Sequence, residues 1–285
     1  MLFKVPKVKF LVSKNVNLFY HVCVLFSEYF PDELSLGILN NSSYRQLYGC
    51  LKTESLHEKF QQLQLYSYYT WDFVGKSLFE LNSTFSVREN LHIISRKIAD
   101  IWLKIFEEAL PPYEDTWAET REKLEKYEIA FETEWHPIYE SVLNKMSNMA
   151  KLQWRIESIN VHLVDCVHGA ASWIEDVVLP PFPDMDVEKK LLTHELSHIL
   201  MPEYFLKTKL QNLGLDPAIS HTIVDLTAYF GIKEHLADTE RLGMKPNPKH
   251  YVQVHELYPI FEECCENPDK HRNFDEILKQ IKLRA

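Results

Sequence analysis

The sequence predicts a mostly helical α+β protein. Glycine is scarce, with only 7 among 285 residues, and long segments place apolar residues at helical spacing. Near residue 155 the pattern changes, because RIESINVHLVDCVHGAASW is β-branched and partly alternating. These observations indicate a small sheet within a helical framework.

The first half of the chain is expected to be almost entirely helical. One strand is predicted over 3–12, and helices over 16–30, 42–66 and 88–110, the last ending at Pro111-Pro112. One or two long charged helices should fill 113–150, with Pro137 kinking or dividing them. No repeat, linker or low-complexity tract separates the halves. We therefore expect region 1–150 to pack onto region 151–285.

The second half mixes short strands with helices. A strand should begin near residue 155 and run into an irregular edge at GAASW, and EDVVLPP (175–181) should form another strand that ends at its prolines. Asp186 is a candidate N-cap for a helix over 187–201, which Pro202 stops. Further helices are expected at about 217–240, opening at Asp216-Pro217, at 249–266, where Pro259 disturbs the helix, and at 273–283.

Composition and charge exclude several classes of function. The net charge of −10 argues against a general nucleic-acid binder, which needs a basic surface. No run approaches the ~18 apolar residues of a membrane span. The start MLFKVPKVKFLVSKN is too broken by Pro6, Lys7 and Lys9 to read as a signal peptide. Five cysteines, an odd number, do not suggest a disulfide framework, so a cytoplasmic location is expected.

The segment LLTHELSHIL contains the pattern H-E-x-x-H, as His194-Glu195-Leu196-Ser197-His198. By chance, such a pattern is expected in roughly one of twenty chains of this composition. On a helix, His194 and His198 lie on one face and can hold one ion together, with Glu195 leaning over it. The apolar flanks indicate a buried helix, where three polar side chains are costly unless they are paired or liganded. We therefore expect one zinc ion here.

A third zinc ligand is expected on the next long helix, in SHTIVDLTAYFG. His221 and Asp225 are again four residues apart and share a face. Taken singly, His221 could be a polar residue of the first turn and Asp225 a satisfied core carboxylate. Both together favour a site. Glu203 is closer in sequence but lies just past Pro202, and its spacing does not match H-E-x-x-H-x-x-G-x-x-H.

With these motifs, residues 155–260 resemble the zincin metallopeptidases, in particular the gluzincin-like branch. The order GAASW, EDVVLPP, LLTHELSHIL is similar to an edge strand that aligns substrate, a further strand and the motif helix. The resemblance implies that Ala170, Ala171 and Ser172 pair with the substrate backbone. It also implies an acidic third ligand, but this chain has no glutamate at that place. If this segment is aligned with the E-x-x-x-D pattern of some members, His221 takes the ligand position and Asp225 the supporting position. If it is aligned with the E-x-x-A-x-[YF] pattern of others, Asp225 takes the ligand position. Both assignments stay open.

The resulting hypothesis is a zinc-dependent hydrolase of peptide bonds that acts on a peptide or protein, with no nucleic-acid or membrane partner. Glu195 would be the general base. The family implies a Tyr or His on a later segment that stabilises the oxyanion. Tyr251 is our candidate, with His250, His255, Tyr258 and Tyr229 as alternatives.

Two rival hypotheses involve no catalysis. In one, the zinc is structural and a fourth protein ligand closes its site, for which Cys166 and His168 are candidates. In the other, the protein is a helical scaffold with a degenerate site, and residues 1–150 bind a partner. The intact Glu195 argues against a degenerate site, because a structural site needs no general base.

Overall fold

The computed structural model describes residues 4–29, 44–64, 96–167, 170–173, 176–237, 254–267 and 269–284. In chain order these residues form β1 (Lys7–Leu11), α1 (Lys14–Tyr29), α2 (Arg45–Leu51), α3 (Glu54–Gln64), α4 (Arg96–Trp135), α5 (Tyr139–Ala150), β2 (Ser158–Leu163), β3 (Ala171–Trp173), β4 (Asp176–Leu179), α6 (Met185–Leu200), α7 (Glu203–Asn212), α8 (Ser220–Ile232), α9 (Val254–Glu266) and α10 (Phe274–Arg284). The predicted α+β, mostly helical class is confirmed. No helix in these ranges is long and apolar enough to cross a membrane.

The four strands form one sheet in the order β1-β2-β4-β3. β1, β2 and β4 are parallel, with Phe10 opposite Val161 and Val161 opposite Val177. β3 runs antiparallel to β4 at the edge of the sheet. The predicted strand at 3–12 is thus confirmed over Lys7–Leu11, while residue 3 lies outside the described residues. The predicted edge strand is also present.

Side chains alternate across the strands, so the sheet separates two buried cores. Ile159, Val161 and Leu163 face the C-terminal core, which α5, α6 and α8 to α10 build together with the end of α4. Val178 faces the opposite way, into the N-terminal core that is formed by α1 to α3 and the first half of α4. Asn17 of α1 fastens this second layer to the sheet, because its Nδ2 donates to the carbonyl of Leu163 at 2.9 Å.

Two predictions about the N-terminal helices are wrong. Pro111 and Pro112 do not end a helix, since α4 runs through them for 40 residues. Two prolines remove two backbone hydrogen bonds, but Ala109 and Tyr113 on either side of them are fully buried and hold the helix together by packing. The expected helix over 42–66 is divided into α2 and α3. Thr53 explains the division, because its Oγ1 accepts the amide of Leu56 at 3.1 Å and caps α3.

The start of α6 is also shifted from its prediction. Asp184, not Asp186, is the N-cap, and it accepts the amide of Asp186 at 3.0 Å. Glu188 in the first turn is fully buried and accepts the amide of Phe182 at 3.0 Å. Burial raises the pKa of the Glu188 carboxyl to about 8, although its hydrogen bonds with Tyr127 and Phe182 act in the lowering direction.

The segments that follow α6 differ in part from the prediction. Helix α7 was not foreseen, because only Leu206 and Leu210 of its ten residues are buried and its apolar pattern is weak. The helix expected over 217–240 begins with a short 3-10 turn that Asp216 caps, becomes α8, and ends in a second 3-10 turn at His235. α9 contains Pro259, and α10 lies close to its predicted bounds.

Gly231 allows α8 to approach its neighbours closely. A Cβ at this position would lie 2.7 Å from Cγ of Met146 on α5 and 3.7 Å from Cγ2 of Thr193 on α6. The glycine therefore lets the backbone of α8 lie directly against α5 and α6. The close approach is the one to α5, whereas the contact with Thr193 of α6 is an ordinary van der Waals distance.

Candidate metal centre

Helix α6 places the two motif histidines at the boundary between core and solvent. Leu192, Leu196 and Leu200 are buried in the C-terminal core and fix the rotation of the helix. His194 and His198, one turn apart, are then partly exposed. Their rings meet edge to face, with centroids 4.9 Å apart. The local sequence is sufficient for this pairing, because positions i and i+4 always share a helix face.

Helix α8 packs against α6 and contributes the other two predicted residues. The ring of His221 lies 5.1 Å from the ring of His194 and 5.2 Å from that of His198, measured between centroids. Asp225 lies on the far side of His194, where its Oδ1 is 2.8 Å from Nδ1 of that histidine. The two helices thus bring all four predicted residues together. His221 joins the rings of His194 and His198, whereas Asp225 contacts Nδ1 of His194.

Three imidazoles converge in a manner that suits a metal ion. One nitrogen from each of His194, His198 and His221 lies within 4.8 Å of the other two. The Nε2 atoms of His194 and His198 are 3.2 Å apart, close to the roughly 3.3 Å between two nitrogens that share a tetrahedral zinc at ~2.0–2.1 Å. His221 is the most exposed of the three, so the cluster opens to solvent on its side. The donor set fits zinc.

Asp225 determines which nitrogen of His194 is available. A carboxylate at Nδ1 accepts the proton carried there, so the neutral ring presents the lone pair of Nε2 to the cluster. Such carboxylate–histidine pairs behind a metal ligand orient the ring and raise its basicity. In this arrangement the ring of His221 lies with the rings of His194 and His198, and Asp225 lies behind His194.

The surroundings act on the two motif histidines in opposite directions. Burial lowers the pKa of His198 to about 4, and His194 and His221 nearby add to this effect. Burial also acts to lower the pKa of His194, but its hydrogen bond to Asp225 and the negative charge there outweigh it and raise the pKa. His198 is consequently neutral at physiological pH, the form in which an imidazole binds a metal.

Three further charged residues surround the cluster. Glu195 is buried, with 7% of its surface exposed, one position along from His194. Lys190 lies one turn before His194 on the same face and interacts electrostatically with Asp225. Glu203 starts α7, where a hydrogen bond from Lys207, helped by His198 and His221, lowers its pKa. Lys190 was missed by sequence reasoning, although its i−4 spacing from His194 was a usable signal.

The remaining predicted residues are distributed differently. Ala171 and Ser172 lie in β3, opposite Val178 and Val177, and Ala170 directly precedes this strand. Among the oxyanion candidates, Tyr251, His250 and the side chain of His255 lie outside the described residues. Tyr258 stacks near Tyr229, with ring centroids 6.0 Å apart.

Neither proposed closing ligand joins the histidine cluster. Cys166 instead lies with His21 and Asp165 in the N-terminal core, so its assignment as a fourth ligand to this centre is wrong. Its position after β2 turns it to the face of the sheet away from α6. His168 lies outside the described residues.

A groove of about 650 Å³ lies elsewhere on the protein, between β1 and the end of α4. It is lined by Lys9, Phe10 and Trp135 among others, and contains none of the clustered histidines. Its walls contain none of the groups of metal-binding side chains found among the described residues, so we place the candidate chemistry at the three imidazoles, where possible ligands and a carboxylate base occur together.

No protein-family model matches the chain, and no curated protein or solved structure is significantly similar to it.

Proposed function

We propose that the protein is a zinc-dependent hydrolase of peptide bonds. The observation that carries this proposal is the convergence of His194, His198 and His221, with Asp225 hydrogen-bonded behind His194 at 2.8 Å. Three protein ligands and an exposed side are the arrangement of catalytic zinc sites, which keep one position open. When bound, zinc supplies a water whose pKa is lowered toward ~7.

In this proposal Glu195 is the general base. Its place beside His194 and its nearly complete burial would keep the carboxylate close to the reacting water and away from bulk solvent. Glu195 would take the proton of the attacking water and then deliver it to the departing amine nitrogen. Asp225 would hold the ring of His194 in one orientation throughout. Tyr251 stays our candidate for the group that donates a hydrogen bond to the oxyanion.

The edge strand β3 supports a peptide as the substrate. β3 pairs with β4 on one side, and within the described residues its other side carries no strand. α6 packs against both β3 and β4. An extended peptide added along this free edge would pair through its backbone, as in β-strand addition, and would lie on the sheet next to the motif helix. Ala170, Ala171 and Ser172 would provide that edge.

The test is a paired measurement of bound zinc and peptide cleavage in the full chain and in Glu195→Gln. A quenched fluorogenic peptide library serves as the substrate probe. The variant should retain its zinc and lose at least ~10²–10⁴-fold in turnover, as is typical when a general base is removed. Glu188→Gln, a buried carboxylate on the same helix, is the matched control and should retain cleavage. Undiminished cleavage by zinc-replete Glu195→Gln would refute the role of Glu195.

A second candidate function, a closed and non-catalytic zinc site in a binding protein, is favoured by one observation. The carboxylate of Glu203 is electrostatically coupled to His198 and His221 and could close the coordination shell as a fourth protein ligand. In that case Glu203→Gln should weaken zinc binding and the library should remain uncleaved. In the catalytic case Glu203→Gln should retain the zinc.

A further inference from the structure

A second cluster of metal-binding side chains is buried in the N-terminal core. His21 of α1 meets Asp165 and Cys166, which follow β2, and one ligand atom from each residue lies within 4.8 Å of the others. All three residues are at most 1% exposed. The sheet separates this cluster from His194 and its neighbours, so the two cannot share an ion.

Hydrogen bonds of an α1 side chain, Asn17, position this cluster. Asn17 lies one turn before His21 and is fully buried. Its side chain donates to the carbonyl of Leu163 at 2.9 Å and accepts the amide of Asp165 at 3.4 Å. Asn17 thereby fixes the segment after β2 against α1. Because positions i and i+4 share a face, His21 is directed at the same segment.

Tyrosine hydroxyls contact one polar atom of His21 and one of Asp165, and leave the second polar atom of each residue facing the cluster. Nδ1 of His21 is 3.0 Å from the hydroxyl of Tyr48, and the hydroxyl of Tyr44 donates to Oδ2 of Asp165. The remaining atoms, Nε2 of His21 and Oδ1 of Asp165, have no hydrogen-bond partner among the described residues. They face each other at 3.6 Å. The hydroxyl of Tyr113, whose ring centroid is 5.2 Å from that of His21, is also buried and has no hydrogen-bond partner in the described part of the chain.

Buried polar atoms are nearly always paired, and buried charges are paired or bound to metal ions. Within the described part of the chain, no lysine or arginine forms an ion pair with Asp165, and its partner at that distance is the His21 ring. The separation of 3.6 Å fits the roughly 3.3–3.6 Å between two ligand atoms of one tetrahedral zinc. A divalent cation with one carboxylate, one thiolate and a neutral imidazole would also leave the core without net charge.

We propose that His21, Asp165 and Cys166 form a second divalent-metal site, suited to zinc, that is distinct from the histidine centre. The ligand atoms are Nε2 of His21, Oδ1 of Asp165 and Sγ of Cys166, and Tyr44 and Tyr48 orient the first two from outside. A thiolate, an imidazole and a carboxylate together are a zinc donor set. Because the three ligands are each at most 1% exposed, a substrate could not reach the ion, and its role would be to fasten α1 to the end of β2.

The thiolate distinguishes this site from the other, so cobalt is a suitable probe. Full-length protein is produced in cobalt-supplemented medium, and its absorption and metal content are measured. Wild type should carry two metals per chain and show a thiolate-to-cobalt charge-transfer band. His194→Ala should lose one metal and retain the band, whereas Cys166→Ser should lose one metal and the band. Cys264→Ser, a buried cysteine of the C-terminal core, is the matched control and should retain both.

Failure of this proposal is separable from failure of the proposed function. One metal per chain with an intact charge-transfer band would remove the histidine centre and leave this site standing. One metal without the band, or a band that survives in Cys166→Ser, would overturn the second site. If Cys166→Ser does not fold, X-ray absorption of the zinc-loaded wild type decides. A sulfur neighbour at about 2.3 Å is required, and a shell of nitrogen and oxygen alone would overturn the proposal.

Discussion

Replacing Asp225 with asparagine would separate the two assignments that the sequence leaves open. If His221 is the ligand and Asp225 orients His194, Asp225→Asn retains the size of the side chain but weakens the hydrogen bond of 2.8 Å to Nδ1. Loss of such a supporting carboxylate typically costs 10–100-fold in metal affinity. Since each factor of ten corresponds to about 1.4 kcal/mol, the expected weakening is roughly 1.4–2.7 kcal/mol.

The assay is a competition titration of zinc between the protein and a chromophoric chelator. Asp225→Asn should bind as much zinc as wild type at saturation, with a weaker dissociation constant at the histidine centre, whereas His221→Ala should carry one zinc fewer than wild type after gel filtration. Asp275→Asn, which removes the same charge from the surface ion pair with Lys209, is the matched control and should leave the affinity unchanged. If Asp225→Asn loses its zinc entirely while His221→Ala retains it, Asp225 is the ligand and the present reasoning is refuted.

Two further predictions concern the scaffold. The pKa of Glu188, about 8, lies above the ordinary value of 4.5, so its contribution to stability is fully present below about pH 4.5 and is lost as the pH rises through about 8. In denaturant unfolding, the free energy of unfolding of Glu188→Gln should rise relative to that of wild type between pH 5 and pH 8, by up to about 1.4 kcal/mol per pH unit. A difference in unfolding free energy that stays constant with pH would contradict the raised pKa. Gly231→Ala should destabilise the protein by about 1–3 kcal/mol, because the added Cβ meets Cγ of Met146 at 2.7 Å. Gly49→Ala, where nothing lies within 4 Å of the new Cβ, is the control, and it should stabilise by up to about 1 kcal/mol. A stabilised Gly231→Ala would show that the close approach is unimportant.

Local rules are enough to place the predicted residues on shared helix faces. The pairs His194–His198 and His221–Asp225 depend only on the repeat of one helix, so their shared faces could be read from spacing. What the spacing could not provide was the direction from which α8 meets α6. That direction depends on how the two helices pack in the folded protein, and it brings Asp225 to Nδ1 of His194.

The errors in the fold have the same origin. Proline is a local signal for the end of a helix, but the packing of Ala109 and Tyr113 overrides it in α4. The buried cluster of His21, Asp165 and Cys166 could not be predicted, because His21 is more than 140 residues from the other two and each residue resembles an ordinary core residue. Only the sheet and Asn17 bring them together.

The continuity of α4 has a mechanical consequence. A helix of 40 residues is about 60 Å long at ~1.5 Å per residue, and it contributes side chains to both cores. Because α4 packs into both cores, the two cores can rotate apart only if α4 itself bends. Pro111 and Pro112, which cannot donate to the carbonyls of Glu107 and Glu108, are where such a bend would concentrate. In the proposed hydrolase, motions that admit a substrate would therefore arise in the short elements near the histidines, above all α7, which begins just after Pro202.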